Sequence, residues 1–321
     1  MKKKVLSFTI LSIMLLCLFF IAINLGSIKV SVAELFKGLF IEYNENVATI
    51  YDLRFPRIII AMLAGAALSV SGVLFQAVMK NPLSDPGIIG ISSGANFVAV
   101  IVTACFPSLY YSKPLLAFCG GFVAFILVYS LSWKGGLSPL RIILVGVAVN
   151  AVFTGFIDVF SSMSSTSLLN TGITMKTWND VYALLWYVIV GLVIALIVSN
   201  KCNLLMLEDK TVRGLGINVH LLRLIISVVA VLLASISTAI VGVISFIGLI
   251  VPHIARLIIG SDHKLLIPFS AILGAFILLL ADTVGRVIIA PYEIAPSIIM
   301  AIIGGPFFIF LLRRSEKIYG N

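Results

Sequence analysis

LRFPRIIIAMLAGAALSVSGVLFQAVMKNPLSDPGIIGISSGAN, residues 53–96, is the stretch around which the rest of the chain is organised. Arg54 and Arg57 stand at helical spacing on either side of a proline. The almost uncharged run 58–78 that follows is long enough to cross a bilayer. The two prolines of residues 81–86 then forbid simple continuation of the helix, and a second apolar run begins at once. A cationic start, a membrane helix and a rigid loop on the far side suit the wall of a transporter better than an anchor.

Composition places the whole chain in the membrane. Of 321 residues, 61% are hydrophobic and only 11% are charged, and the mean hydropathy is +1.19. A soluble domain is roughly half apolar and a quarter charged, so this composition predicts an all-α polytopic membrane protein. Basic residues account for the net charge of +9, but they are scattered at segment ends, which disfavours nucleic acid as a partner. We expect a single transmembrane domain over residues 1–321.

Apolar runs of spanning length can be counted along the sequence, and we expect ten membrane helices. The first is a membrane helix with a basic anchor rather than a cleaved signal, because its apolar run is too long and no cleavage site follows. The runs lie near 5–25, 57–78, 91–107, 115–133, 139–160, 181–199, 221–241, 243–259, 265–285 and 294–312.

Lysine and arginine positions predict the orientation. With both termini in the cytoplasm, 15 of the 22 Lys and Arg residues fall inside, as the positive-inside rule requires. Loop 26–53 is then external and carries a short amphipathic pattern, and the Ser/Thr-rich loop 161–180 is external as well. The longest inner loop, 200–220, is expected to form two short helices on the cytoplasmic face, with a turn at Gly214-Leu215-Gly216.

Enzyme and metal signatures are missing from the sequence. It contains no phosphate-binding P-loop motif and no H-E-x-x-H, and its four cysteines form no CxxC pair. We therefore expect no catalysis by this chain, no cofactor and no metal site. Among ionisable residues in apolar segments, Asp158, Asp282, Arg286 and Glu293 are functional candidates by default. Asp282 and Arg286 are four residues apart, acid first, which also favours a purely structural ion pair.

The central helix and its loop hold the candidates for a translocation path. Small residues at four-residue spacing are typical of helix packing, with pore lining as the alternative. The NPLSDP loop needs protein cover or a water-filled cavity, because its backbone is not helical at a membrane edge. We interpret it as a loop at a moving interface. The path and gate candidates are Gly65, Ser69, Gln76, Asn81, Pro82, Asp85 and Pro86.

Several motifs follow one another from about residue 50 to the end: RFPR at 54–57, NPLSDP at 81–86, GLGINV at 214–219, GLIVPHIAR at 248–256, SDH at 261–263, LAD at 280–282 and GGPFF at 304–308. Together they resemble the iron-chelate and vitamin B12 (FecCD-type) permeases, the membrane subunits of binding-protein-dependent ABC importers. The chain departs from the family pattern at Lys80 and Ser84. It also departs at 293–297, which leaves the start of the last helix undefined.

The resemblance implies a homodimer of ten-helix subunits around a central path, with two copies of a separate ATPase and one substrate-binding lipoprotein or periplasmic protein. It implies that Arg54, Arg57 and Arg286 receive glutamates of the binding protein. The inner loop is implied to dock on the ATPase, through Leu207, Arg213, Gly214, Leu215 and Gly216.

The cargo and the energy source remain open at this point. Segment 174–181 is similar to haem-iron permeases of Gram-positive bacteria, which indicates haem or a ferric siderophore, with cobalamin as an alternative in the same family. An ion-coupled secondary carrier is the alternative from another class. The sequence shows no chain of relay carboxylates, and its structured inner loop favours a permease powered by a partner ATPase.

Overall fold

In the computed structural model, residues 2–25, 30–132, 139–163, 172–289 and 291–319 are described, and all their regular structure is helical. Thirteen α-helices and one 3-10 turn, Pro107–Ser112, follow one another in that part of the chain. The helices are α1 Lys2–Asn24, α2 Val32–Phe40, α3 Glu45–Leu53, α4 Phe55–Met79, α5 Ile91–Cys105, α6 Lys113–Ser132, α7 Pro139–Met163, α8 Trp178–Leu205, α9 Asp209–Gly214, α10 Val219–Val241, α11 Ile247–Ile259, α12 His263–Val287 and α13 Pro296–Tyr319.

Each of the ten predicted apolar runs is a helix, and two of these helices are shorter than the rest. Eight helices have the length and hydropathy of a span. Helix α5 has 15 residues and α11 has 13. At 1.5 Å per residue both fall well short of a hydrocarbon core about 30 Å thick. Ten apolar helices agree with the predicted number. The two runs at 91–107 and 243–259 are shorter helices than predicted, because α5 ends at Cys105 and residues 242–246 are not helical.

Helix α4 lies at the centre of the protomer and packs against α8, α10, α11 and α12. Nearly all of its side chains from Pro56 to Met79 are buried. Small residues allow this close packing. A Cβ added to Gly65 would lie 2.3 Å from the carbonyl oxygen of Gly274 on α12, and one on Gly72 would lie 2.0 Å from that of Gly248 on α11. The stripe of small residues is therefore a helix-packing surface.

The connecting segments differ from the prediction in one respect. The inner loop holds one short helix, α9, because α8 continues to Leu205 before it and α10 begins at Val219 after the predicted turn. The last helix begins at Pro296, so Glu293 precedes it. Residues 164–171 of the predicted external loop 161–180 lie outside the described residues. The amphipathic pattern in loop 26–53 is confirmed as α2, which buries Leu35 and exposes Phe36.

Candidate functional site

At the end of the bundle where α4 begins, which we call the arginine end, Arg57 holds two carboxylates. Its Nε donates to Oδ1 of Asp282 at 2.9 Å, and its Nη1 donates to Oε2 of Glu293 at 2.7 Å. Asp282 is fully buried on α12, whereas the side chain of Glu293 is 41% exposed. Arg57 therefore already forms ion pairs with two carboxylates, and its side chain is only 10% exposed.

The other two arginines of this end close the last turn of α1. Arg54 donates from Nη1 to the carbonyl of Ile23, and Arg286 donates from Nη2 to that of Ala22 at 3.2 Å. The last carbonyls of a helix have no partner within the helix, and cations near them also suit its dipole. The predicted ion pair within α12 is present, with Nε of Arg286 at 3.3 Å from Oδ2 of Asp282. The closer partner of Asp282 is nevertheless Arg57 on α4. Spacing in the sequence could not indicate this contact between two different helices.

This arrangement bears on the docking role implied for Arg54, Arg57 and Arg286. Docking requires a guanidinium that an incoming carboxylate can reach, and Arg57 is buried and paired in this conformation. The structure brings the three arginines together, as the sequence analysis expected. It also adds Asp282 and Glu293, which form a network of ion pairs with Arg57 and Arg286. The docking role stays a prediction.

The two non-helical segments, residues 80–90 and 242–246, meet at Asp85 near the C-terminal end of α4. The carboxylate of Asp85 accepts hydrogen bonds from the amides of Gly87, at 2.8 Å, and Ile88, at 3.2 Å. The amides of Phe246 and Gly248, at the start of α11, contribute further hydrogen bonds to it. Asp85 is 1% exposed. A single buried acid thus satisfies backbone groups of two broken segments, as irregular backbone inside a membrane requires.

Gln76 fixes the depth at which α11 begins. Its Nε2 donates to the carbonyls of Ser84, at 3.3 Å, and Gly248, at 3.1 Å. Its Oε1 accepts from Nη2 of Arg256 on α11. Because Gly248 also touches Gly72, α11 starts beside the last two turns of α4 and not beyond its end. Residues 242–246 are therefore non-helical chain beside α4, and all five are buried or half-buried.

The path candidates fall into two groups. Gly65 and Ser69 are packed inside the protomer, where Oγ of Ser69 donates to the carbonyl of Ser270 at 2.7 Å. Helix packing accounts for both, and neither reaches a surface that could line a path in this conformation. The second group surrounds the junction of the two broken segments and consists of Gln76, Asn81, Pro82, Asp85 and Pro86.

At the opposite end of α4, which we call the coupling end, Asp209 on α9 joins two other elements. Nζ of Lys80, just after α4, lies 2.9 Å from its Oδ1, and Nη2 of Arg223 on α10 lies at the same distance. Lys80 also donates to the carbonyl of Leu207 at 2.6 Å. Burial raises the pKa of Asp209, but the hydrogen bond from Lys80 and the charge of Arg223 outweigh it, so the pKa is lowered. The acid is therefore charged at neutral pH.

The coupling residues implied by the resemblance are on the surface of this end. Leu207, Arg213, Gly214, Leu215 and Gly216 are all exposed, and Leu215 is 61% exposed. Gly216 ends the segment with φ +77, a conformation that L side chains rarely adopt. An exposed apolar side chain beside an exposed cation is the kind of surface on which another protein docks.

Sequence reasoning missed Asp209, Lys80 and Arg256 as members of the site. Lys80 could have been noticed in the sequence, because it departs from the family pattern at the position just after the central helix. The others are recognisable only from contacts across the bundle. Within the described part of the chain, no group of three or more His, Cys, Asp or Glu residues could hold a metal ion.

The fold has one central span, α4, with a polar cluster at each end, and two short helices, α5 and α11, each preceded by non-helical backbone. These features define a polytopic membrane transport protein. The model of the FecCD transport family matches residues 14–314, and the chain belongs to that family. The predicted resemblance is thus confirmed. The chain is a permease subunit of an ABC transporter, a transport protein and not an enzyme.

Relatives cover the whole chain. It is 41% identical over 315 residues, 98% of each chain, to the Staphylococcus aureus protein named "Probable heme-iron transport system permease protein IsdF". A solved structure described as an inward-facing metal-chelate type ABC transporter matches with TM-score 0.80 and 28% identity, over 97% of this chain and 99% of that one. PsaBC from Streptococcus pneumoniae in complex with Fab matches with TM-score 0.59 and 16% identity, over 87% and 95%, and shares the fold alone.

Proposed function

We propose that this chain is the membrane permease of an importer that carries an iron complex into the cytoplasm. Haem is the first candidate for that complex. The observation that carries this proposal is the 41% identity, along 98% of both chains, to a relative named as a haem-iron permease. The family model and the metal-chelate transporter among the solved structures support the same class of cargo. Residues 1–321 act as one transmembrane unit in this proposal.

The proposed assembly is a homodimer with two ATPase subunits and one substrate-binding protein. The ATPase docks at the coupling end, where Leu207, Arg213 and Leu215 are exposed beside α9. The binding protein docks at the arginine end. Both chain termini are then cytoplasmic, as the excess of Lys and Arg on that side favours.

Docking at the arginine end proceeds by exchange in this proposal. Asp282 is fully buried and stays on Arg57, whereas Glu293 is 41% exposed and binds only one nitrogen of the guanidinium. A glutamate of the binding protein displaces Glu293, because the same planar donor fits either carboxylate. Arg54 and Arg286 add positive charge around the contact.

The gate lies where the two broken segments meet. Gln76 and Asp85 connect the end of α4 to the start of α11, and Asn81, Pro82 and Pro86 belong to the same loop after α4 as Asp85. Through Lys80 the same end of α4 is joined to Asp209 on the coupling helix α9. A displacement of α9 by the ATPase is thereby transmitted to the gate through a short chain of contacts.

Uptake by whole cells tests the cargo. Cells lacking this permease are complemented with the gene and supplied in turn with labelled haem, a labelled ferric siderophore and labelled cobalamin. We expect uptake of haem to depend on the permease and to exceed uptake of the other two. Permease-dependent uptake of cobalamin or of the siderophore alone would contradict the haem proposal while leaving the importer intact.

A further inference from the structure

A cavity of about 400 Å³ lies between α6 and α10 near the coupling end. Its walls are almost wholly apolar, and it opens to the outside of the protomer beside Ile126 and Leu224, which are 48% and 49% exposed. These are residues of two helices that cross the membrane. The lining residues are Phe125, Ile126, Tyr129, Ser130, His220, Arg223, Leu224 and Ser227.

Two polar atoms in the lining have no hydrogen-bond partner. They are Oγ of Ser227, a residue 1% exposed, and Nε of Arg223. A buried donor left unsatisfied is destabilising, and more so where the group is charged. An apolar cavity with the guanidinium of Arg223 at its edge suits a ligand with an apolar body and a polar head.

The charge at the mouth of the cavity selects the head. Arg223 is the fixed cation there, and Asp209 is the only acid with which it pairs in the described residues, through Nη2 at 2.9 Å. The Arg223 side chain is 13% exposed, so a ligand at the mouth can reach the guanidinium. A guanidinium binds phosphate oxygens with charge-assisted hydrogen bonds, and basic pockets between membrane helices suit anionic lipid headgroups.

We propose that this cavity binds an anionic phospholipid from the leaflet on the coupling side. One acyl chain lies along Phe125 and Leu224, and the phosphate accepts a hydrogen bond from the guanidinium of Arg223. Because Arg223 also holds Asp209, the bound phosphate shares its cation with the coupling helix α9. The lipid therefore becomes part of the contact that positions α9.

Lipid binding to the purified transporter complex tests this proposal without any cargo. Binding of phosphatidylglycerol and of phosphatidylcholine is measured by native mass spectrometry, with inorganic phosphate as a competitor. Leu224→Trp fills the cavity. Leu221→Trp is the matched control, because Leu221 is similarly exposed on the same helix but does not line this cavity. Arg223→Gln removes the charge and keeps a donor.

We expect the parent and Leu221→Trp to retain phosphatidylglycerol and Leu224→Trp to lose it. Arg223→Gln is expected to bind it about tenfold more weakly, the value of one charge-assisted hydrogen bond. Equal retention of phosphatidylcholine, or displacement by inorganic phosphate, would overturn the proposal. A photoreactive residue at position 126 identifies the occupant independently. Crosslinks to lipid support the proposal, and crosslinks to a second copy or to residues 133–138, which lie outside the described residues, refute it.

Discussion

At the scale of single residues, charge compensation dominates the arginine end. Asp282 is fully buried, and its two oxygens face Arg57 and Arg286. Burying a charge in a low-dielectric medium is tolerated only when a partner with good geometry compensates it. Arg57 therefore has a structural task in addition to any docking role. Charge reversal of Arg57 would place a third acid beside Asp282, and it cannot separate docking from folding.

Replacing Asp282 by Asn tests that reading. The change leaves Arg57 and Arg286 without their buried anion, and we expect a loss of stability on the order of 3–5 kcal/mol. The measurement is thermal unfolding of the purified chain in detergent. Asp52→Asn is the control, because Asp52 is exposed on α3 at the same end of the bundle. Equal unfolding temperatures for the two variants would show that Asp282 is not the anchor of this network.

At the scale of elements, two broken helices distinguish this protomer from a plain bundle. The sequence predicted the apolar segments and the break at Gly242, because apolar run length and a lone glycine are local signals. It could not predict that α11 starts beside Gly72, since that contact joins residues far apart in the chain. Nor could local spacing indicate Arg57 with Asp282, or Lys80 with Asp209. Both pairs form only when α4 occupies the centre.

Asp85 is expected to hold the two broken segments together. In Asp85→Asn, an amide NH₂ replaces one acceptor oxygen and faces backbone donors, so we expect a destabilisation of about 1–3 kcal/mol and slower transport. Thermal unfolding and ATP-dependent uptake are measured on the same preparation. Ser84→Ala is the control, because the Ser84 hydroxyl makes no hydrogen bond to the described residues and the Ser84 carbonyl, which Gln76 binds, is kept. A stable and fully active Asp85→Asn would remove this acid from the gate.

The coupling helix gives a second prediction at the same scale. Asp209→Asn breaks the ion pairs with Lys80 and Arg223 at a partly exposed site, so the stability loss should be about 1 kcal/mol or less. Transport per ATP hydrolysed should fall severalfold, while the ATPase still co-purifies. Arg213→Glu is expected to do the reverse and weaken co-purification of the ATPase. Lys201→Glu, an exposed reversal on α8, is the control for charge alone. Normal coupling in Asp209→Asn would contradict the transmission through α9.

At the scale of the whole molecule, the account requires two partners at opposite ends of one central helix. At the arginine end, Glu293 is the acid that the binding protein displaces. Removing its charge should therefore strengthen docking of the binding protein. We expect Glu293→Gln to tighten docking by roughly 0.5–1 kcal/mol, a few-fold in Kd, with less effect at high salt. Binding to the complex in nanodiscs is the measurement, and Glu45→Gln is the control. Weaker docking in Glu293→Gln would mean that Glu293 itself contacts the partner.

The central claim is that this chain forms the path of an ATP-powered importer. Its most direct test is uptake of labelled haem by proteoliposomes that contain the purified permease, its ATPase and its binding protein, with proton and sodium gradients abolished. We expect uptake that requires ATP on the coupling side and the binding protein on the arginine side. Uptake by the permease alone, driven by an imposed ion gradient and indifferent to ATP, would contradict it.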